Sequence, residues 1–338
     1  MIANVSSNGA IGITGLGAYV PEKVLTNDDL SRMVETSDEW ITDRTGIKER
    51  RIAAAEEAAS DLALPAARKA LEQAGLDGAE VDLIIVATAT PDMLFPATAA
   101  IVAEELGAKK AAAYDLLAGC TGFVYGMAQA YGSVAGGLSK RALVIGSETL
   151  SRITNWNDRG TCILFGDGAG AAVLERVRDG GIVGIELGAD GSGGQDLCVP
   201  AGGSRMPVTA ANVGEDMQFI QMHGQEIFRF ATRVMVSSAE QVLEKSGVGV
   251  EDVDLYVPHQ ANKRIIDHAA KHIGLPPEKV FMNISKYGNT SSASIPICLA
   301  EAQEQGLIQV GTRVLMSAVG AGLTWGSIYM TWSNGRAN

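Results

Sequence analysis

The segments Leu71-Glu-Gln-Ala-Gly75 and Leu243-Glu-Lys-Ser-Gly247 resemble each other, and each is followed after five residues by Val-Asp-Leu. The residue numbers of the two copies differ by 172 (247 minus 75). The same offset relates Arg141-Ala-Leu143 to Arg313-Val-Leu315. Self-similarity at one fixed interval indicates a duplicated structural unit.

Each copy has the same order of predicted elements. An apolar strand is followed by a helix rich in Ala, Leu and Glu, which ends at Gly75 or Gly247, and then by a second apolar strand. Alternating strands and helices predict βαβ units and a largely parallel, buried sheet. We therefore expect an α/β fold with two tightly packed halves, residues 1–176 and 177–338, related by a pseudo-two-fold axis.

The composition is typical of a compact folded protein. Of the 338 residues, 46% are hydrophobic and 20% are charged, and the formal net charge is -12. This negative charge would repel a phosphate backbone, so nucleic acid is not an expected partner. The uncharged stretch Leu116–Ser139 is too rich in glycine and polar residues for a membrane span, and it predicts a buried helix.

The cysteines and the amino terminus indicate a cytoplasmic protein. Wide spacing of cysteines in a long chain fits a reducing compartment better than a disulfide framework. The first residues lack the basic start and the apolar segment of a signal peptide. His268 and His272 lie one helical turn apart but lack the remaining ligands of a metal motif, so no metal is expected. The four cysteines are Cys120, Cys162, Cys198 and Cys298.

The two copies differ at two chemically important positions. Cys120 corresponds to Ser292 in the second copy, and His259 corresponds to Ala87 in the first. A site between the halves would bring the cysteine and the histidine together. Cys120 precedes small residues that open a helix, and a helix N-terminus is expected to lower the pKa of a thiol. The alternative is an inert, buried cysteine.

Three further features are candidates for a site. His259 follows a hydrophobic strand, at the strand end where sites of α/β proteins gather. Asn289 precedes a probable helix, although Gly-Asn is also a common turn pair. The segment Val319–Gly326 is a glycine-rich turn, and its backbone N–H groups could bind an oxyanion.

Four sequence motifs identify a family resemblance. They are DLLAGCTGF at 115–123, VPHQAN at 257–262, YGNTSSAS at 287–294 and GAGLTWG at 320–326. Their order and spacing resemble the β-ketoacyl-acyl carrier protein synthase III family of thiolase-like condensing enzymes. The resemblance covers almost the whole chain and implies a duplicated, five-layered αβαβα fold. Further matching segments are 36–41, 44–47, 158–161 and 165–169.

The resemblance implies the catalytic residues. Cys120 would be the nucleophile, His259 and Asn289 the other catalytic residues, and the backbone N–H groups of Cys120 and Ala321 the oxyanion hole. Two positions depart from the family pattern: Gly119 replaces a common Ala, and Ala321 lies in a turn often written with three glycines. Neither change removes a required N–H group.

The resemblance also implies the binding residues. Coenzyme A would contact Trp40, Arg44, Arg159 and Asn262. The acyl pocket would include Phe165 and, from across a homodimer interface, Phe95. The carrier protein would dock on Lys263, Arg264 and Lys271.

The implied reaction is a decarboxylative condensation of an acyl-CoA primer with malonyl-acyl carrier protein, initiating fatty acid synthesis without a cofactor. A synthase III-like enzyme that primes polyketide or other secondary metabolism is the alternative within the family. A Cys-His-Asn hydrolase is also chemically possible, whereas a binding module is disfavoured because all three catalytic positions are intact. A dinucleotide-binding oxidoreductase is disfavoured because the spacing of Gly12, Gly15 and Gly17 is not GxGxxG.

Overall fold

The computed structural model describes residues 10–333 and 335–337; residues 1–9, on which the signal-peptide prediction depends, lie outside these ranges. In the described residues the strands, numbered β1 to β13, are Ala10–Tyr19, Lys23–Thr26, Glu49–Ile52, Leu83–Ala87, Ala112–Leu116, Arg141–Glu148, Gly168–Val177, Gly181–Ala189, Leu197–Cys198, Gln221–Met222, Leu255–Pro258, Arg313–Gly320 and Thr324–Thr331. The helices, α1 to α10, are Asn27–Leu30, Asp38–Thr45, Ala59–Ala74, Thr98–Glu105, Gly122–Ala135, Arg159–Cys162, Gly224–Ser246, Lys263–Ile273, Ile284–Tyr287 and Ser294–Glu304.

Two mixed sheets form the framework. The first has the order β1-β7-β6-β4-β5 and the second has the order β11-β12-β13-β8. Only the pairs β4-β5, β4-β6 and β11-β12 are parallel, and the other four pairs are antiparallel. The prediction of largely parallel sheets is therefore wrong. A strand that is buried on both faces has the same apolar pattern in either pairing, so the sequence pattern could not distinguish them.

The elements stack in five layers. Helices α3 and α4 pack on the outer face of the first sheet, and α7 and α8 pack on the outer face of the second. Helices α5 and α10 lie between the two sheets and contact both. The central core accordingly combines residues of both sheets and both helices, such as Ile85, Met127, Leu299 and Met316. This arrangement is the expected αβαβα order.

The duplication reappears in the geometry. Strands β6 and β12 begin and end at residue numbers that differ by the same offset of 172. Helices α3 and α7 both end at a glycine in the left-handed region, Gly75 with φ 62° and Gly247 with φ 71°. All strands of the first sheet precede residue 178, and all strands of the second follow residue 180. The division into domains at residues 176 and 177 stays a prediction.

The amino-terminal glycines belong to a strand. Gly12, Gly15 and Gly17 lie within β1, which pairs with β7. A Cβ atom on Gly15 or Gly17 would lie 2.1 Å from a backbone carbonyl oxygen of α3. Gly15 and Gly17 therefore allow β1 to approach α3 closely, and none of the three glycines forms a phosphate-binding loop.

The uncharged stretch Leu116–Ser139 contains the predicted buried helix, α5. Within the residues that the structure describes, none of the helices combines the length and apolar character needed to cross a membrane.

Candidate active site

Cys120 lies in a short 3₁₀ turn, Gly119–Thr121, between the end of β5 and the start of α5. The Thr121 hydroxyl donates to the carbonyl of Ala118 at 2.6 Å and lies 2.9 Å from the hydroxyl of Thr324 on β13. The cysteine turn of the first half is thus attached directly to a strand of the second half. This contact places Cys120 at the boundary between the halves.

The environment of the thiol differs from the prediction. Burial raises the pKa of Cys120 to about 12, a hydrogen bond with Ser291 opposes this increase, and the nearby Glu148 carboxylate adds to it. The predicted lowering of this pKa is therefore wrong for the free protein. Helix α5 begins at Gly122, two residues after Cys120. Desolvation of the thiolate raises the pKa of Cys120 by more than the start of this helix lowers it.

His259 directly follows β11, and its backbone N–H donates to the carbonyl of Ser317 at 2.8 Å. The side chain is almost fully buried, and burial lowers its pKa to about 3, so the imidazole is neutral at physiological pH. Its Nδ1 lies 2.6 Å from the hydroxyl oxygen of Ser294. The Gln260 N–H donates to this same oxygen at 3.5 Å. These contacts favour donation of the Ser294 hydrogen to Nδ1, which leaves the imidazole hydrogen on Nε2.

Asn289 is held between two segments. Its backbone N–H donates to the carbonyl of Leu164 at 2.8 Å, and its own carbonyl accepts from Gly166 at 3.0 Å. Its side-chain Oδ1 accepts a hydrogen bond from the backbone N–H of Ser291 at 2.8 Å. Because the amide oxygen is engaged in this way, the amide nitrogen remains as the group that can donate to a ligand.

The glycine-rich turn lies against the backbone of the cysteine. A Cβ atom on Gly320 would lie 2.7 Å from the backbone nitrogen of Cys120, and one on Gly119 would lie 2.9 Å from the backbone nitrogen of Ala321. The backbone nitrogens of Cys120 and Ala321 therefore belong to two segments in close contact. Such a pair can bind one negatively charged oxygen if both N–H groups point toward it.

Two adjoining cavities share Cys120. The first is lined by Cys120, His259 and Asn289 together. The second is lined by Cys120, Ser291 and Ala321, and Phe165 contributes to both. The structure thus brings the sequence-predicted catalytic residues to one place. Phe95 lines neither cavity in its own chain, and its side chain is 84% exposed.

The residues predicted for coenzyme A are grouped around one indole. The guanidinium carbons of Arg44 and Arg159 lie 4.5 Å and 4.9 Å from the centroid of a Trp40 ring. Asn262 donates from Nδ2 to the carbonyl of Arg44 at 3.1 Å, while its Oδ1 accepts from the backbone N–H of Arg264 at 2.8 Å. Asn262 therefore caps α8 and links it to α2.

The residues predicted for carrier docking lie on α8 and are exposed. Two of them already have acidic partners: Arg264 forms an ion pair with Asp43 at 2.7 Å, and Lys263 forms one with Asp267 at 2.6 Å. Lys271 lies in the last turn of the helix. The positive charge available on this helix is therefore smaller than the sequence suggested.

Comparison with known proteins establishes the family. The family model "3-Oxoacyl-[acyl-carrier-protein (ACP)] synthase III" matches residues 114–191, and the model of its C-terminal part matches residues 243–332. The β-ketoacyl-[acyl-carrier-protein] synthase III of Desulfitobacterium hafniense is 56% identical over 325 residues, which cover 96% of this chain and 98% of that protein. The chain belongs to the synthase III family.

Solved structures of the synthase III family confirm the thiolase-like fold. The 3-oxoacyl-[acyl-carrier-protein] synthase III of Aquifex aeolicus matches with a TM-score of 0.89 and 47% identity, over 96% of this chain and 100% of that one. The priming β-ketosynthase of the R1128 polyketide pathway matches with a TM-score of 0.90 but only 34% identity, over 96% and 97%. The shared fold therefore does not distinguish a synthase III of fatty acid synthesis from a polyketide priming enzyme. The lower sequence identity to the polyketide enzyme does not favour the polyketide alternative.

Sequence reasoning missed three residues near the site. Ser291 and Ser294 belong to the YGNTSSAS motif, but only the structure shows that Ser291 lines a cavity with Cys120 and that Ser294 contacts His259. Glu148 is a carboxylate at the carboxyl end of the hydrophobic strand β6, which could have been noticed in the sequence. Among the described residues, no group of acidic, His or Cys side chains could hold a metal ion.

Proposed function

We propose that this protein is a β-ketoacyl-acyl carrier protein synthase III that initiates fatty acid synthesis. It transfers an acyl primer from coenzyme A to Cys120 and condenses this primer with malonyl-acyl carrier protein, with loss of carbon dioxide. The observation that carries this proposal is the cavity lined by Cys120, His259 and Asn289, in a chain 56% identical to a protein of that name.

In the first half-reaction, the Cys120 sulfur attacks the carbonyl carbon of the acyl thioester. Because burial keeps the free thiol protonated, the proton leaves sulfur as the carbon–sulfur bond forms, and it is the proton that the departing coenzyme A thiolate takes up. The developing oxyanion binds to the N–H groups of Cys120 and Ala321. When the tetrahedral intermediate collapses, coenzyme A departs, takes up a proton as a free thiol, and leaves the acyl group on Cys120.

In the second half-reaction, the malonyl thioester loses carbon dioxide, and its thioester oxygen acquires the charge of an enolate. Neutral donors suit this step, because a carboxylate in the same position would repel the charge. Nε2–H of His259 and the amide nitrogen of Asn289 supply two donors, and each can contribute about 3 kcal/mol to transition-state stabilisation. The enolate carbon then attacks the acyl-Cys120 carbonyl and the carbon–sulfur bond breaks. The β-ketoacyl product leaves, and the Cys120 thiolate takes up a proton from water.

The two half-reactions are separable by experiment. Asn289→Ala should still accept an acyl group on Cys120, because the amide acts on the malonyl thioester alone, but it should not form the β-ketoacyl product. Mass spectrometry of the intact protein measures the first step, and chromatography of the carrier-bound product measures the second. Release of free acid by the wild-type protein, with no condensation product, would indicate a hydrolase and overturn the proposal.

For coenzyme A, we propose that the adenine stacks on Trp40. In the free protein the Arg159 guanidinium already lies over this indole, and it donates to the carbonyl of Glu35 at 2.9 Å. Adenine can therefore stack on the part of the indole that Arg159 covers only if Arg159 moves away. Arg159 would then stack on the outer face of the purine, while Arg44 interacts with the phosphates and Asn262 lines the entrance.

For the carrier protein, we propose docking on Lys263, Arg264 and Lys271. The chain carries a net charge of -12, so an acidic partner requires a local positive surface. Arg264→Glu should lower kcat/KM for malonyl-acyl carrier protein severalfold, with acylation of Cys120 unchanged. Asp43→Asn is a matched variant with the opposite expectation, because it frees Arg264. Equal carrier kinetics in both variants at low salt would exclude this docking site.

We also propose that the protein is a cytoplasmic homodimer. Strand β5 lies at an edge of the first sheet, and the large apolar side chains of Leu94, Phe95 and Leu117 nearby are 76% to 84% exposed. Exposed apolar groups beside an unpaired sheet edge indicate an interface. Pairing there would let Phe95 reach the acyl pocket of the other chain. Sedimentation should give twice 35.3 kDa, and a monomer at micromolar concentration would contradict the dimer.

A further inference from the structure

Gln260 is a buried residue of the VPHQAN motif to which the proposed mechanism gives no role. It directly follows His259, and only 1% of its surface is exposed. Its Nε2 donates to the carbonyl of Pro258 at 2.7 Å. Its Oε1 accepts from the backbone N–H groups of Asn283 and Ile284, both at 3.1 Å. Because only the oxygen of an amide accepts and only its nitrogen donates, these partners fix its orientation. The side chain thus joins the end of β11 to the start of α9.

These hydrogen bonds cap a helix whose own N-cap side chain bonds elsewhere. The first N–H groups of a helix have no partner within it. Asn283 is the N-cap residue of α9, but it makes no side-chain cap. Its Nδ2 donates to the Glu301 carboxylate at 3.1 Å, and its Oδ1 lies 3.0 Å from the sulfur of Cys298. Gln260 therefore supplies, from a neighbouring segment, the acceptor that the start of α9 requires.

Helix α9 leads directly to Asn289. It has four residues, and the N–H of Gly288 closes its single turn by donating to the carbonyl of Ile284 at 2.9 Å. Asn289 is the next residue. The proposed catalytic asparagine thus follows a short turn whose start is held by Gln260, while His259 is the chain neighbour of Gln260. One buried side chain therefore links the two segments that carry the proposed enolate donors.

The duplication shows that this link is particular to the second half. By the offset that relates the copies, Gln260 corresponds to Thr88, and α9 corresponds to residues 112–115 of β5. In the first half the backbone makes the link, because the N–H of Thr88 donates to the carbonyl of Leu116 at 3.2 Å, beyond the paired residues of β4 and β5. In the second sheet β11 is the edge strand, and the side chain of Gln260 takes the place of this strand pairing.

We propose that Gln260 is a positioning residue that sets the spacing between His259 and Asn289, so that both donors point to one enolate oxygen. This inference rests on the proposed function. The backbone N–H of Gln260 also donates at 3.5 Å to the Ser294 oxygen that contacts His259. Two donors on separate segments stabilise one charge only if both are aimed at it, and a displacement of about 1 Å can cost roughly a hundredfold in rate. Acylation of Cys120 uses other N–H groups and does not require this spacing.

The test measures the two half-reactions separately. Gln260→Met nearly keeps the size of the side chain and removes its three hydrogen bonds. It should lower kcat for condensation with malonyl-acyl carrier protein by roughly ten- to a hundredfold, with KM for the carrier protein and the rate of Cys120 acylation within about twofold of wild type.

Gln73→Met is the matched control. The Oε1 of Gln73 also accepts from a backbone N–H, that of Leu16 at 2.7 Å. Neither residue lines the two cavities that contain Cys120. This variant should therefore leave both half-reactions at their wild-type rates.

A double variant tests whether Gln260 acts through Asn289. The measured quantity is the residual release of labelled carbon dioxide from malonyl-CoA. The spacing between the donors matters only while Asn289 is present. Adding Gln260→Met to Asn289→Ala should therefore lower this rate by no more than about twofold, whereas independent contributions would multiply.

The inference is overturned if folded Gln260→Met condenses at the wild-type rate, if it slows acylation and condensation by the same factor, or if the losses multiply in the double variant. Should Gln260→Met not fold, Gln260→Glu decides, because its carboxylate keeps an acceptor for α9 and places an oxygen against the carbonyl of Pro258. Its loss must again be confined to condensation. The proposed function fails separately, since in that case the wild-type protein itself forms no β-ketoacyl product.

Discussion

The two halves contain the same turn, and only one of the two turns carries the proposed nucleophile. The 3₁₀ turns Gly119–Thr121 and Ser291–Ala293 occupy equivalent positions in the two copies, and each precedes a helix of the central layer. The first residue of each turn has a backbone in the left-handed region, with φ 53° at Gly119 and φ 48° at Ser291. In the first half the second residue is Cys120, which faces two cavities. In the second half it is Ser292, which is buried.

The hydrogen bonds of Ser292 explain this difference. Its hydroxyl oxygen lies 2.8 Å from the carbonyl oxygen of Ala87 and 2.9 Å from Oε1 of Glu148, and its one hydrogen can be donated to either of them. Ala87 is itself the counterpart of His259. The counterparts of Cys120 and His259 therefore lie within hydrogen-bond distance of each other. The same backbone turn thus carries the proposed nucleophile in the first half and a buried serine that contacts the other half in the second.

The sharpest test changes the second residue of each turn. Cys120→Ser should lower the rate of acyl-enzyme formation by at least roughly a thousandfold, because a hydroxyl is a much weaker nucleophile than a thiol at neutral pH. Ser292→Ala should keep acylation within about tenfold and lose about 1 to 2 kcal/mol of stability. Single-turnover labelling with radioactive acyl-CoA measures both rates. Equal losses in the two variants would mean that the halves do not differ in function as we describe.

The comparison of His259 with Ala87 predicts a pH-dependent stability. Burial lowers the pKa of His259 from 6.5 to about 3. Between these pH values the unfolded histidine binds a proton and the folded one does not. The free energy of unfolding should therefore fall by about 3 to 5 kcal/mol as the pH decreases through this window. His259→Ala, which copies the other half, should remove this part of the dependence. Urea unfolding of both proteins at several pH values measures the difference.

A substitution of Gly119 tests why the turn that carries Cys120 begins with glycine, whereas the equivalent turn begins with Ser291. A Cβ atom at residue 119 would lie 2.9 Å from the nitrogen and 3.3 Å from the Cβ of Ala321. Gly119→Ala should therefore displace one oxyanion donor and lower kcat/KM for acyl-CoA by roughly a hundredfold. The double variant with Ala321→Gly should recover part of this loss, since the contact between the Cβ atoms is then absent. No loss in the single variant would contradict the packing.

The smallest expected effect concerns a binding feature of one half alone. The residues equivalent to Trp40, Arg44 and Arg159 in the second copy are Asn212, Asp216 and Thr331, which cannot form such a stack. Arg159→Ala should raise KM for acyl-CoA by about fivefold, which corresponds to about 1 kcal/mol of cation–π attraction. KM for an acyl-pantetheine thioester, which lacks adenine, should stay near its wild-type value. Equal changes for both substrates would place Arg159 away from the adenine.

The sequence by itself determined the duplication and the members of the site. The fixed offset between the copies predicted that helices would end at Gly75 and Gly247, because a left-handed cap favours glycine. The motifs around Cys120, His259 and Asn289 predicted that these residues share one site, and the three do line one cavity; their catalytic roles stay a prediction. These features are local, since a cap or a strand end depends on the few residues around it.

Tertiary structure alone decided the rest. The direction of β7 and β13 in their sheets, the raised pKa of Cys120 and the ion pair between Arg264 and Asp43 all depend on groups distant in the chain. Burial and charge act on a thiol through space, so the helix start that follows Cys120 could not reveal that desolvation is the larger effect. Likewise, Glu148 of the first half lies 2.9 Å from the hydroxyl oxygen of Ser292 in the second half, and only the packed halves bring these groups together.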